Sequence, residues 1–142
     1  MYTMKQGNSI LSVPNVYGIG IDIQDITEIQ SAIEKYDLKF LNKIFAPEEI
    51  EYCRKKSNPS QHFAARFSAK EALFKALGTG IGNGFCFTDA VILKKKTGEP
   101  HFKLYNKTEQ TIKKQKLEAF VSLSHSKDYS IAQVVLISNF NK

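Results

Sequence analysis

The chain has 142 residues, 42% of them hydrophobic and 24% charged, with a formal net charge of +6. That length suits one domain able to bury roughly 70% of its unfolded surface, and the balance excludes a collagen-like or intrinsically disordered chain. The positive excess points to a polyanionic or acidic partner, without choosing among nucleic acid, phosphorylated cofactors and acidic proteins.

In chain order, residues 1–16 are polar and aperiodic and read as a flexible lead-in to a single domain over 17–142. Residues 17–23, YGIGIDI, alternate as a strand. Ile19, Ile21 and Ile23 share one face; Gly18, Gly20 and Asp22 share the other, which leaves room beside a carboxylate. A helix follows, with Asp25 and Glu28 at capping-box spacing and Ile26, Ile29 and Ile33 as its apolar stripe. DLKFLNKIF reads as a second helix. PEEIEYCRKK reads as a third, with Pro47 at its first position, acids at its start and bases at its end.

SNPS reads as a turn in which Ser60 caps a long central helix over residues 61–77, stopped by Gly78. Phe63, Phe67 and Phe74 mark its buried side. FTDAVILKKKTGEPHFKLY gives two strands around a Lys-Thr-Gly-Glu turn, NKTEQTIKKQKLE a helix, and AFVSLSHS with YSIAQVVLIS a closing hairpin. The sum is an α+β domain, an antiparallel sheet packed against helices. Cys53 and Cys86 fit no metal pattern and read as reduced thiols. The chain opens on no apolar signal segment, and no apolar run approaches the roughly 18 residues of a membrane span. A cytoplasmic protein without a membrane partner is expected.

Three places can carry chemistry. Glu71 stands one turn before Lys75, the favourable order for an exposed helical pair, yet Phe67 and Phe74 put both beside the packing face. Asp22 is spare, since Asp25 serves for capping. Together Asp22 and Glu71 suit Mg²⁺, which takes oxygen ligands and often only one or two protein carboxylates, with Lys75 to neutralise phosphate charge. His125 ends a strand on the side shared by Val121 and Leu123; packing and function are both open to it. The four alternating glycines from Gly78 to Gly84 follow a helix, the wrong end for an anion, so left-handed geometry or close packing accounts for them. The lysine runs 94–96 and 113–116 lack interleaved aromatics and read as solvated faces, not a nucleic-acid site.

Taken in order, GIGIDI, RFSAKEALFKALGTGI and SLSHSKDYSIAQVVL resemble the holo-acyl-carrier-protein synthase family of small 4′-phosphopantetheinyl transferases, over most of the chain from Tyr17 to Ser138. The resemblance implies transfer of the phosphopantetheine arm of coenzyme A to a serine of apo acyl carrier protein, in fatty-acid synthesis. It implies Asp22 and Glu71 as Mg²⁺ ligands, Lys75 at the coenzyme's phosphates, and Arg66 and His125 lining the coenzyme site. Asp25 falls where the family often has Glu. It further implies a homotrimer with each site between two subunits, and an acidic carrier met by basic residues. Here Glu28 and Glu34 occupy the expected docking helix, so either the basic contacts move to Lys35, Lys39, Arg54 or Lys55, or the preferred carrier differs. Two rival readings are a basic nucleic-acid-binding module and an inactive relative kept as an interaction protein.

Overall fold

The computed structural model describes residues 3–6, 9–12 and 15–138. They form β1 (Thr3–Gln6), β2 (Ser9–Ser12), β3 (Asn15–Asp25), α1 (Ile26–Tyr36), α2 (Leu38–Ile44), α3 (Pro47–Arg54) and α4 (Pro59–Leu77). A short 3-10 turn (Phe87–Asp89), β4 (Ala90–Lys94), β5 (Pro100–Leu104), α5 (Asn106–Lys114), β6 (Leu117–His125) and β7 (Tyr129–Ser138) complete the order. The expected α+β class holds, but the strands divide into an antiparallel β3-β7-β6 sheet and separate β1-β2 and β4-β5 ladders. No helix among the described residues is long and apolar enough to cross a membrane.

The expected lead-in over 1–16 lies partly outside the described residues, as do residues 139–142 of the expected domain. Within the lead-in, β1 and β2 pair antiparallel from Thr3↔Ser12 to Gln6↔Ser9, where no strand was expected. β3 is longer than its apolar alternation and runs from Asn15 through Asp25, paired with β7 along its length. Asp25 caps α1 as its spacing predicts, its carboxylate accepting from Thr27 N at 2.8 Å and Glu28 N at 3.2 Å.

The central helix begins earlier than expected, at Pro59 with Asn58 as its cap rather than after Ser60. Proline's fixed φ and missing N–H suit a first helical position as well as a turn, and here the helix takes it. α4 is buried on nearly every side, which is why it shows no single apolar stripe. One apolar cluster, with Leu41, Phe45 and Phe63, lies under α1, α2 and α3. The other, with Phe74, Ile92 and Val134, lies between α4 and the strands. Phe63 and Phe74 are both almost fully buried, each stabilising the fold by roughly 1.5–3 kcal/mol. Burial also pushes the Cys53 thiol up to about 11, so it is an inert thiol of the core.

The face of β3 that carries Gly18, Gly20 and Asp22 is the one that meets α4. A Cβ at Gly18 would collide with the carbonyl of Ala76, and one at Gly20 with the carbonyl of Ala72. The absent side chains therefore admit a helix backbone, not an open space beside Asp22 as the alternation suggested. The isoleucine face turns outward: Ile19, Ile21 and Ile23 are 59%, 56% and 58% exposed.

Candidate active site

Asp22 reaches the site from the middle of β3, where it pairs with Ala132 of β7. Glu71 and Lys75 reach it from α4, brought close by the glycine contact. The Lys75 ammonium donates to Asp22 Oδ1 at 3.1 Å and to the Ile21 carbonyl at 3.0 Å. Its carboxylate partner is thus Asp22 across the helix–strand contact. The Asp22 side chain is 10% exposed and that of Lys75 54%. Burial raises the Glu71 carboxyl above its usual range and the Asp22 charge adds to the rise, with Lys75 opposing it. Glu71 feels both charges, so two carboxylates stand near one ammonium that pairs with Asp22, an arrangement with negative charge to spare. Hard oxygen donors with excess charge fit a divalent cation such as Mg²⁺. Among the described residues, no group of three or more His, Cys, Asp or Glu gathers as a metal cage.

Arg66 and His125 lie elsewhere. Nine positions separate Arg66 from Lys75, a rotation of about 180° around an α-helix. β6 and β3 are the outer strands of their sheet, about 10 Å apart in backbone position. Arg66 and His125 instead line a cavity of about 480 Å³ with His62, Lys94, Gly98 and Pro100. The Arg66 guanidinium lies over the Tyr52 ring at 4.2 Å, and its Nε is buried with no hydrogen-bond partner among the described residues. His125 Nδ1 meets the Gln61 amide at 2.7 Å. Positive groups outnumber the one acid on the cavity wall, Glu99. His62 is held below its usual range by burial and then by Arg66, Lys56 and Lys94. Burial would raise the Tyr52 phenol, but Lys94, Lys56 and Arg66 bring it below its usual value.

The five site residues expected from the sequence therefore fall into two groups that one chain does not unite. Sequence reasoning missed Gln24, whose amide donates to Asp22 Oδ2 at 2.7 Å. Strand alternation carried that signal, since residues 22 and 24 share a face. It also missed Lys94 and the Gly98–Pro100 turn as cavity walls, which only the tertiary fold brings to Arg66.

The family model of the 4′-phosphopantetheinyl transferase superfamily matches residues 18–134, a span that includes both groups. The chain belongs to this superfamily. A holo-[acyl-carrier-protein] synthase of Syntrophus aciditrophicus (strain SB) is 43% identical over 122 residues, covering 85% of this chain and 95% of that protein. The crystal structure of the holo-[acyl-carrier-protein] synthase of Neisseria meningitidis superposes with a TM-score of 0.80 at 32% identity, covering 86% of this chain and 98% of that one. That of the Bacillus anthracis str. Ames synthase, in complex with CoA (3′,5′-ADP), gives a TM-score of 0.73 at 33% identity and covers 87% and 98%. These relatives lend no support to the nucleic-acid module considered from the charge.

Proposed function

We propose that the protein is a holo-[acyl-carrier-protein] synthase. It moves the 4′-phosphopantetheine arm of coenzyme A to a serine of apo acyl carrier protein and releases adenosine 3′,5′-bisphosphate, in fatty-acid synthesis in the cytoplasm. The observation that carries this reading is the meeting of Asp22, Glu71 and Lys75 at the contact of β3 with α4, inside the span that matches the family.

With coenzyme A as co-substrate, Asp22 and Glu71 would hold Mg²⁺ as the cofactor of the site. When bound, it supplies positive charge against the oxygens of the coenzyme's diphosphate. Lys75, half-exposed on a flexible stem, turns from Asp22 to the same phosphate and offsets the charge that builds there. In the transfer, the serine oxygen bonds to the β-phosphorus and its proton passes to a nearby carboxylate, as the bond from that phosphorus to the bridging oxygen breaks and its electron pair departs on adenosine 3′,5′-bisphosphate. The alternative of an inactive relative is disfavoured by the retention of both carboxylates and Lys75.

The active unit is a homotrimer with each site between two subunits. Two observations support this. The Arg66–His125 cavity lies at the β6 edge of the sheet and Asp22 at the β3 edge, so a neighbouring subunit that sets its own Asp22 group against this cavity completes one coenzyme site. The outward face of Ile19, Ile21, Ile23 and Phe120 is apolar and uncovered, of the kind that protein interfaces bury. The acidic carrier docks on basic residues in and just after α1 to α3, among Lys35, Lys39, Arg54 and Lys55, because Glu28 and Glu34 are exposed on α1 and repel it.

The test is incubation of the protein with coenzyme A, Mg²⁺ and an apo carrier, followed by mass spectrometry of the carrier. One phosphopantetheine on its serine is expected. Asp22→Asn and Glu71→Gln should each fold and transfer little; near-normal turnover by both would remove the metal assignment. Sedimentation showing only monomers under assay conditions would remove the shared site.

A further inference from the structure

We infer that Gln24 is the positioning residue for Asp22, and that it makes this carboxylate a one-oxygen ligand that discriminates between divalent cations. The inference rests on the reading of Asp22 and Glu71 as a cation site. The two oxygens of Asp22 have different partners: Oδ2 accepts from the Gln24 amide at 2.7 Å and Oδ1 from the Lys75 ammonium at 3.1 Å.

The two partners are held differently. Gln24 stands on the same strand two residues on, and its backbone pairs with Ser130 as that of Asp22 pairs with Ala132. Both partners in β7 are buried, so the amide is delivered from fixed backbone along a short path. Lys75 arrives from α4 on a four-carbon stem that is 54% exposed, and its contact is exchangeable. A cation at the site competes with the ammonium for Oδ1, since like charges exclude each other there. It does not compete with a neutral amide, whose bond to the carboxylate is strengthened by the acceptor's charge.

That division has a chemical consequence. Mg²⁺ and Mn²⁺ are small, and Mg²⁺ demands near-octahedral geometry, whereas Ca²⁺ takes six to eight ligands at longer range and often claims both oxygens of a carboxylate. With Oδ2 committed to Gln24, the two-oxygen grip that favours Ca²⁺ is denied. Fixing the carboxylate plane also places Oδ1 before the cation arrives, and outer partners of ligating groups typically change metal affinity 10–100-fold.

The experiment titrates Mn²⁺ into the protein, follows free Mn²⁺ by electron paramagnetic resonance, and repeats the titration against Ca²⁺. Wild type is expected to bind Mn²⁺ well ahead of Ca²⁺. Gln24→Met, which keeps length but lacks the donor, should weaken Mn²⁺ binding about tenfold and narrow the preference over Ca²⁺, with the melting temperature little changed. Lys75→Met should leave Mn²⁺ binding undiminished. Gln24→Ser, too short to reach Asp22, carries the same expectations should the methionine variant fail to fold. An unchanged Kd and an unchanged preference in the Gln24 variant would overturn the role of Gln24. So would a weaker Kd with unchanged preference and a lowered melting temperature, which is the mark of a structural residue. No Mn²⁺ binding by wild type would overturn the cation site itself, and is distinguishable from either.

Discussion

Lys70 and Lys75 stand five positions apart on α4, and each meets a carboxylate from another part of the chain. Lys70 and Glu49 are both fully inaccessible, 2.6 Å apart. The Lys70 ammonium uses all three donors, on Glu49, the Ile44 carbonyl and the Phe87 carbonyl. Glu49 in turn accepts from Ala46 N and Ile92 N. The pair ties α2, α3, the 3-10 turn and β4 to the central helix, with no donor of the ammonium left over. Burial lowers the Lys70 ammonium and Glu49 opposes the fall, so its charge depends on its partner. Lys75 is half-exposed and Asp22 lies just beneath it, with one carboxylate too many beside them. The lesson lies in saturation: a charged pair with every partner supplied holds a fold together, whereas one with charge to spare is ready for a ligand.

Substitution of each lysine by methionine separates the two. Lys70→Met leaves Glu49 buried without a countercharge, which costs about 3–5 kcal/mol and lowers the melting temperature by about 10–20 °C. The double variant Glu49→Leu/Lys70→Met should recover only part of that, because Ile44, Phe87, Ala46 and Ile92 still lose their partners. A shift of one or two degrees in the single variant would break the comparison from the structural side. Lys75→Met should cost less than Lys70→Met, because the Lys75 ammonium is half-exposed and Asp22 keeps its bond from Gln24, while phosphopantetheine transfer falls steeply. Loss of folding with retained transfer would break it from the other side.

Glu71→Gln gives the smallest effect on stability and one of opposite sign. Burial and Asp22 raise the folded-state pKa of Glu71 above its ordinary value of 4.5. The ionised carboxylate therefore weakens the fold at neutral pH, and this penalty disappears as pH falls through the raised pKa to below 4.5. The glutamine variant should melt slightly higher than wild type at pH 7 and the same at pH 4, by thermal unfolding in a pH series, while losing transfer activity. An equal difference at both pH values would mean that Glu71 carries no such strain.

Much of this was legible in the sequence, and the failures have physical causes. Strand parity put Asp22 on the glycine face, and the helical register put Glu71 and Lys75 beside a packing surface; both hold. Parity could not tell which face of β3 packs, because isoleucines ordinarily mark the inward side. Here a helix of alanines meets glycines, and the isoleucines face out. Lys70 was passed over because a lysine within a helix reads as solvent-facing, and Glu49 because an acid in a first turn reads as complementing the helix dipole. Yet Glu49 shares a face with the buried Ile50 and Cys53, a spacing that could have flagged it. The cavity at Arg66 draws walls from α4, β6 and the β4–β5 turn, distant segments whose meeting no local pattern encodes.

The glycine contact described first has one more effect. Where α4 crosses β3, main chain rests on main chain at Gly18 and Gly20, so the approach of helix to strand beside positions 22 and 71 is fixed at that point by backbone. Changes that swell or hollow the apolar clusters toward either end of the helix will rock it about this crossing as about a fulcrum. Core composition can drift while the acid-to-acid span at the middle stays where it is.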